Sequence, residues 1–232
     1  MGDLYKELEK DIRYREGLHA CINCGICTSV CPAAEVSDYD PRMVVDMVQQ
    51  KDETILRNLL SGDTIWRCGE CLSCKTRCPR GNVPCYIIQA LRSLSIETGL
   101  FAESKEGRKQ LVVKRTVGDH ILKYGYCVYI DEVKTEWYPE QGPVWEWLME
   151  NRAETLERFH TSYRKDQAGT LRNTAEESLE DLRKIFDETG GTARFNKIEE
   201  FSARKAAEAG KEFKEERDEY FNMLNNGEEQ KK

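Results

Sequence analysis

Apolar residues recur at helical spacing between residues 41 and 100, and they predict three amphipathic helices there. Residues 41–60 hold two apolar groups that are separated near Lys51 and Asp52, so two helices fit this stretch. A third helix follows, and Gly99 is a suitable residue to end it because glycine readily adopts the left-handed conformation. The apolar positions of the three helices are Met43, Val44, Met47, Val48, Ile55, Leu56, Leu59, Leu60, Ile87, Ile88, Leu91 and Leu94.

Residues 101–150 have a different pattern, in which β-branched and aromatic residues alternate loosely. The run HILKYGYCVYIDEV, from His120 to Val133, predicts a strand or a hairpin. Large aromatic rings are concentrated here, and they close a local core or anchor a partner. We favour partner docking, because the tryptophans flank a Gly-Pro turn and have little other apolar material nearby. The residues concerned are Tyr124, Tyr126, Tyr129, Trp137, Tyr138, Trp145 and Trp147.

The segment 151–232 is rich in charges of both signs and contains no proline, which predicts a helical extension. Thr174 and Glu177 have the spacing of a capping box, and Leu179, Leu182 and Phe186 would form the apolar face of the helix that follows. Gly190 and Gly191 would end this helix. Asn196, with Glu199 three residues later, is a candidate cap for the next one.

Composition limits what kind of protein this is. Only 39% of the 232 residues are hydrophobic and 33% are charged, which favours one small core with solvated helical additions. A net charge of -7 argues against nucleic acid as a partner. No stretch approaches the roughly 20 apolar residues of a membrane-spanning helix, and the amino terminus has no apolar signal core. We therefore expect a cytoplasmic chain without a membrane span.

Eight of the ten cysteines form an internal repeat with an offset of 47 residues. The two copies read CINCGICTSVCP at residues 21–32 and CGECLSCKTRCP at residues 68–79. Each has the spacing C-x2-C-x2-C-x3-C-P, which is typical of bacterial ferredoxins that bind four-iron clusters. The sequence therefore predicts two [4Fe-4S] clusters. A disulfide framework is not expected, because a reducing cytosol keeps thiols free.

In this type of motif the fourth cysteine ligates the cluster of the other motif. We therefore predict that one cluster is held by Cys21, Cys24, Cys27 and Cys78, and the other by Cys68, Cys71, Cys74 and Cys31. Bonds between distant halves of the chain would replace part of a hydrophobic core, so cluster loss should unfold this domain. Structural zinc is the alternative, but zinc sites normally use two separated cysteine pairs and have no need of the third cysteine or the C-P ending.

Other residues near the motifs suggest additional roles. Lys75, Arg77 and Arg80 surround the second motif, and their positive charge would raise the reduction potential of its cluster; a solvated basic rim is the alternative. Cys85 and Cys127 lie outside the repeat, and we expect both to be buried, inert thiols.

The two motifs, their helical spacer and the run CPRGNVPCYIIQALR after them resemble the C subunit of heterodisulfide reductase, including its relatives in sulfur-oxidising complexes. The resemblance covers residues 15–100. Related subunits usually read CPRGVDI after the second motif, whereas this chain has Val83-Pro84-Cys85, a difference that concerns the start of the following helix and not the eight ligands.

The resemblance implies a mainly α protein with an all-α ferredoxin fold at residues 1–100, binding two [4Fe-4S] clusters. Outside the resemblance, the residue patterns predict an aromatic-rich docking segment with a short β element at residues 101–150 and a charged helical extension at residues 151–232. The implied partners are a B subunit with Cys-Cys-Gly motifs, which holds the disulfide or thiol site, and an A subunit with flavin and iron-sulfur groups. The chain has no Cys-Cys pair and no G-x-G-x-x-G or Walker A motif, which predicts an electron carrier with no catalytic residue of its own.

Two other classes of protein remain open. One is the iron-sulfur subunit of a succinate/fumarate-like or glycolate/lactate-type dehydrogenase; the succinate type normally carries an amino-terminal [2Fe-2S] domain, for which the 20 residues before Cys21 are too few. The other is a non-redox module that its clusters hold together. Reversible reduction of both clusters would separate an electron carrier from such a module.

Overall fold

The computed structural model describes residues 3–161, 163–165, 171–214 and 217–227. The described chain is mainly helical, which confirms the predicted α class, and none of its helices is long and apolar enough to cross a bilayer. The helices are α1 (Leu4–Leu8), α2 (Ile12–Gly17), α3 (Ile26–Ser29), α4 (Pro32–Val36), α5 (Pro41–Gln49), α6 (Glu53–Ser61), α7 (Pro84–Thr98), α8 (Lys105–Arg108), α9 (Gln110–Val113), α10 (Asp119–Tyr124), α11 (Gly142–Arg158), α12 (Glu176–Glu188), α13 (Gly191–Glu208) and α14 (Glu219–Asn226).

Short 3-10 turns and one pair of strands complete the secondary structure of the described residues. The strands β1 (Tyr163–Lys165) and β2 (Leu171–Arg172) are parallel, with Tyr163 opposite Leu171. The 3-10 turns are Thr64–Arg67, Lys75–Arg77, Leu100–Glu103, Ile130–Glu132 and Pro139–Gln141, and Lys114–Gly118 forms a π-helical turn.

The chain divides into two compact units. The first comprises Met1–Leu111 and Asn196–Lys232, and the second comprises Val112–Phe195. The predicted division at residues 100 and 150, which separates segments by their role, stays a prediction.

The core of the first unit is built around α7, against which α2, α5 and α6 pack. The predicted break between α5 and α6 is correct, because Asp40 and Asp52 each cap a helix start with their carboxylates. One predicted core position differs. Met43 is 52% exposed, whereas Val45 is buried, since the apolar face of α5 is centred on Val44, Val45 and Val48.

Two glycines allow close packing in this unit. Gly17 ends α2 where it crosses α7, and a Cβ there would lie 3.0 Å from the Cβ of Tyr86 and 3.2 Å from the Val83 carbonyl oxygen. Gly99 ends α7 with a φ of 77°, as the sequence predicts. An added Cβ at Gly99 would collide with the ring of Phe201 in α13. Phe201 also meets Phe101 edge to face, with ring centroids 6.3 Å apart.

The second unit corrects the predicted strand at residues 120–133. Its first half is helix α10, which ends at Gly125 with a φ of 77°, and Ile130–Glu132 is a 3-10 turn. The reversal of the chain brings the rings of Tyr124 and Tyr129 into a stack with centroids 3.8 Å apart. The Gly-Pro pair is also not a turn, since Gly142 and Pro143 begin α11. The alternating side chains of residues 120–133 therefore do not form a strand, and two of their tyrosine rings stack on each other instead.

The two predicted helix caps in the extension are wrong. Thr174 donates its hydroxyl hydrogen to the carbonyl of Tyr124 (2.9 Å), and Ala175 occupies the cap position of α12 without a side-chain bond. Asn196 lies inside α13, because this helix starts directly after Gly190. The predicted end of α12 is correct for Gly190, which has a φ of 80°, but wrong for Gly191, which begins α13.

Candidate metal centres

The eight motif cysteines line two cavities, four at each. The first cavity has Cys21, Cys24 and Cys27 of the first motif together with Cys78 of the second. The second cavity has Cys68, Cys71 and Cys74 of the second motif together with Cys31 of the first. The structure thus brings together the same two groups of four that the sequence predicts. In each group the fourth cysteine comes from the other copy of the repeat, which is also part of the prediction.

The two cysteine loops share two left-handed backbone positions. Asn23 and Glu70 are equivalent in the repeat, and both have positive φ values, 57° and 53°. Each donates its backbone N–H to the sulfur of the cysteine two residues earlier, at 3.4 Å to Cys21 Sγ and 3.5 Å to Cys68 Sγ. A second left-handed residue follows in each loop, Gly25 or Leu72 (φ 61°). Left-handed non-glycine residues are strained, and such strain concentrates at functional sites.

Side chains from neighbouring elements hold the first loop in place. Gln49, at the end of α5, accepts the backbone N–H of Cys21 through Oε1 at 2.7 Å. Asn82 accepts the N–H of His19 through Oδ1 at 2.5 Å, and Arg80 donates to the carbonyl of Ala20 at 3.3 Å. The chain leading to the first cysteine is therefore fixed from both α5 and the segment after the second motif.

Arg92 of α7 anchors the second loop. Its guanidinium donates to the carbonyls of Ile65 (2.8 Å) and Cys68 (2.7 Å) and forms an ion pair with Glu70 (2.5 Å). It also lies over the ring of Trp66, 5.5 Å from its centroid. Because α7 is the central helix of the core, Arg92 connects the second cysteine loop to that core by hydrogen bonds.

Burial and hydrogen bonding give the thiols different acidities. Burial raises the pKa of Cys27 to about 11, and burial also raises the pKa of Cys74. At Cys71 the hydroxyl of Ser73 lowers the pKa instead. Metal ligands are thiolates, so cofactor binding at the buried positions must displace protons, and the metal supplies the compensating charge.

The donor set fits a four-iron cluster. Four thiols around one cavity are the ligands of a [4Fe-4S] cubane. Gly25 lines the first cavity and Gly69 the second, and no atom lies within 4 Å of a Cβ built at Gly69. Within the described ranges, no three His, Cys, Asp or Glu side chains converge to hold a single metal ion.

Four further residues at or near these cavities are not among the site residues that the sequence predicts. Asn82 lines the first cavity, and Tyr39 and Cys85 line the second, while Arg92 acts through the loop. Cys85 is buried as expected, and burial raises its pKa to about 12. Tyr39 carried a readable signal, because it recurs as Tyr86 at the same repeat offset of 47 residues.

Other sequence predictions have mixed outcomes. Cys127 is exposed, so the prediction of a buried thiol is wrong for this residue. The charged residues Lys75, Arg77 and Arg80 are all exposed, and Lys75 Nζ lies 3.4 Å from the hydroxyl of Tyr86. Arg80 lines the first cavity and not the second. The influence of these three residues on a reduction potential stays a prediction.

A protein-family model described as a 4Fe-4S dicluster domain matches residues 17–82. The matched region contains all eight motif cysteines and the helices α4, α5 and α6 between Cys31 and Cys68. The cofactors of this domain are two [4Fe-4S] clusters, as the sequence predicts.

Similar proteins belong to heterodisulfide reductases. The chain is 40% identical to the C subunit of the ferredoxin:CoB-CoM heterodisulfide reductase of Methanosarcina acetivorans. The identity extends over 124 residues, which are 53% of this chain and 46% of that protein. The chain is 29% identical to the C subunit of the H(2):CoB-CoM heterodisulfide,ferredoxin reductase of Methanothermobacter marburgensis, over 58% of this chain and 68% of that protein. It is also 29% identical to the iron-sulfur C subunit of the CoB–CoM heterodisulfide reductase of Methanopyrus kandleri, over 50% of this chain and 55% of that protein.

The chain spans about half the length of the first and third of these relatives and about two thirds of the second. The resemblance to the C subunit that the sequence predicts is confirmed by these matches.

Proposed function

We propose that this chain is the electron-transfer iron-sulfur subunit of a heterodisulfide reductase-type complex. It would pass single electrons through two [4Fe-4S] clusters, to or from a disulfide or thiol site on a B subunit in the cytoplasm. The observation that carries the proposal is the pair of cavities in the first unit, each lined by four motif cysteines. The relatives support it, because they are named as the C subunits of such reductases.

Within this proposal, residues 1–100 form an all-α ferredoxin domain. Cys21, Cys24, Cys27 and Cys78 would hold one cluster, and Cys31, Cys68, Cys71 and Cys74 the other. Each bound cluster supplies one-electron redox chemistry. The protein's own part is to fix position and burial: Gln49 and Asn82 hold the first cysteine loop, and Arg92 holds the second.

Electrons must enter and leave this domain, and both cavities have exposed apolar residues at their edges. Ile22 is 60% exposed beside the first cavity, and Val36 is 86% exposed beside the second. Each cavity therefore has a surface on which a partner could bring its own redox group close. The partners in this proposal are an A subunit with flavin and iron-sulfur groups and a B subunit with Cys-Cys-Gly motifs, and the substrate is a sulfur compound.

The aromatic segment supplies a further candidate for partner docking. Trp145 is used within the second unit, because its indole N–H donates to the carbonyl of Val133 at 2.8 Å. Trp147 is 57% exposed on the same helix, α11, next to exposed Val144. An exposed tryptophan is a typical anchor of a protein interface, and we assign this surface to the B subunit.

The test is purification of the native complex under anaerobic conditions through a tag on this chain. We expect a protein with Cys-Cys-Gly motifs to copurify. After reduction with dithionite, the clusters of the complex should be reoxidised by the CoB-CoM heterodisulfide, whereas the isolated chain should stay reduced. A Trp147→Ala variant should keep its clusters and lose most of the partner, while Trp145→Phe serves as the matched aromatic control.

Three outcomes would contradict the proposal. Copurification with a flavin dehydrogenase for succinate or glycolate, in place of the Cys-Cys-Gly protein, would support the dehydrogenase alternative. Clusters that cannot be reduced and reoxidised would support a non-redox module. Reoxidation of the isolated chain by the heterodisulfide at the rate of the complex would place the disulfide site on this chain.

A further inference from the structure

Each of the two cysteine-lined cavities includes one buried polar side chain with an unused hydrogen-bond donor. Tyr39 is 4% exposed and lines the second cavity, and Asn82 is 2% exposed and lines the first. By hydrogen-bond geometry neither the Tyr39 hydroxyl nor the Asn82 Nδ2 has a partner among the described residues. The Tyr39 hydroxyl nevertheless lies near the thiol of Cys68, and burial together with this thiol raises the pKa of Tyr39. A buried donor without an acceptor is destabilising, and most buried polar groups in proteins are paired, so we expect an acceptor for each of these groups.

The orientation of the Asn82 amide follows from its other end. The backbone N–H of His19 donates to Oδ1 at 2.5 Å, and an N–H requires an acceptor, so the oxygen faces His19. Nδ2 is then the atom left over, on a residue that lines the cavity together with Cys78 and Cys21. Asn82 can therefore serve the loop with one atom and a cavity occupant with the other.

Tyr39 has a counterpart that is used differently. Tyr39 follows Cys31 by eight residues, and Tyr86 follows Cys78 by the same distance. Tyr86 lines neither cavity, and its hydroxyl accepts a hydrogen bond from Lys75 Nζ at 3.4 Å. The repeat thus places a tyrosine at the same position twice, but its two halves give the hydroxyls different surroundings.

We propose that Asn82 and Tyr39 are hydrogen-bond donors to the sulfur atoms of the two clusters, Asn82 Nδ2–H to the first and the Tyr39 O–H to the second. A phenol has an ordinary pKa near 10 and remains a donor at neutral pH. A donor to cluster sulfur stabilises the reduced state, which carries one more negative charge, and raises the reduction potential. The two residues would thereby set the two potentials separately. This inference rests on the proposed ligation by the eight cysteines.

Removal of each donor should affect one cluster. Tyr39→Phe deletes only the hydroxyl, and Asn82→Leu replaces the amide with a side chain of similar shape. Tyr86→Phe is the matched control for Tyr39, because it deletes the equivalent hydroxyl of the repeat away from both cavities. The probe is potentiometric titration of the loaded full chain, followed by EPR. Cys24→Ser and Cys71→Ser identify the signals, since each should perturb only the cluster that its cysteine ligates.

We expect Tyr39→Phe to shift the midpoint potential of the signal perturbed in Cys71→Ser to a more negative value. Asn82→Leu should shift the signal perturbed in Cys24→Ser in the same direction, and Tyr86→Phe should shift neither. Resonance Raman spectra of the unaltered protein provide a second measurement that needs no variant at Asn82. Iron-sulfur stretching bands should shift on transfer to D2O, and Tyr39→Phe should remove part of this shift.

Unchanged midpoint potentials in both variants, with about eight irons per chain and reversible reduction, would overturn the inference and leave the proposed function intact. Equal shifts of both signals in Tyr39→Phe would also overturn it, because they indicate a general disturbance. Failure of the proposed function has a different signature, namely clusters that are absent or cannot be reduced in the unaltered protein.

Discussion

Cys78 lines the same cavity as Cys21, although the two cysteines belong to different copies of the repeat. The exchange is reciprocal, because Cys31 of the first copy joins Cys68 at the second cavity. Each cavity is closed only when both halves of the repeat are folded against each other. We therefore expect cluster binding and the folding of this unit to be coupled.

Reciprocal ligation predicts which cysteine variants resemble each other. Cys78→Ser should alter the same EPR signal as Cys24→Ser, and Cys31→Ser the same signal as Cys71→Ser, because the members of each pair line one cavity. EPR of the reduced proteins with iron analysis measures this. Cys127→Ser, at an exposed cysteine outside both cavities, is the control. If Cys78→Ser instead matched Cys71→Ser, each motif would hold its own cluster.

Cluster removal should unfold the first unit. The proposed thiolate-iron bonds would join loops that are far apart in sequence, and Cys24 and Cys71 are exposed at the two cavities. Treatment with an iron chelator and an oxidant should lower the helical circular dichroism and remove the cooperative thermal transition of this unit. The untreated protein in the same buffer is the control. A chelated protein that keeps its transition would show that the core is stable without its cofactors.

Arg92→Met should destabilise the second cysteine loop. The substitution leaves the carbonyls of Ile65 and Cys68 without their donor and separates Glu70 from its cation. We expect a loss of about 2 kcal/mol in the free energy of unfolding, measured by denaturant titration without oxygen. Arg77→Met, at an exposed arginine of the same motif, should change this free energy by less than about 0.5 kcal/mol. Equal effects of the two variants would contradict the anchoring role of Arg92.

Gly99→Ala should destabilise the protein more than Gly190→Ala. Both glycines have left-handed backbone, with φ values of 77° and 80°, so an alanine costs about 1 kcal/mol or more at either position. Only at Gly99 would the new methyl group also collide with a packed ring, that of Phe201. Denaturant unfolding of the two variants separates backbone strain from lost packing. Equal losses would mean that α13 moves away at little cost.

The sequence predicted the helical core well because its signals are local. The apolar period of α5 and α6, the aspartates that cap them and the glycine that ends α7 all act within a few residues. The two groups of four cysteines could be predicted from the spacing and from the known behaviour of the motif. The ligation itself stays a prediction.

What the sequence failed to predict depends on contacts between distant residues. The sequence predicts a capping role for Thr174, but its hydroxyl donates to the carbonyl of Tyr124, fifty positions earlier. The run around Tyr124 alternates like a strand, yet it bends at Gly125 so that two tyrosine rings stack. Asn82 has no signal in the sequence, because its importance lies in burial beside the first cavity, whereas Tyr39 is marked only by its recurrence as Tyr86 at the repeat offset.

The most direct test of the central claim is a redox titration of the chain, purified without oxygen and analysed for iron and acid-labile sulfide. The account predicts about eight irons and eight sulfides per chain and two reversible one-electron reductions, one for each cluster. A well-folded preparation with zinc bound to the motif cysteines, or one with iron that accepts no electrons, would contradict it.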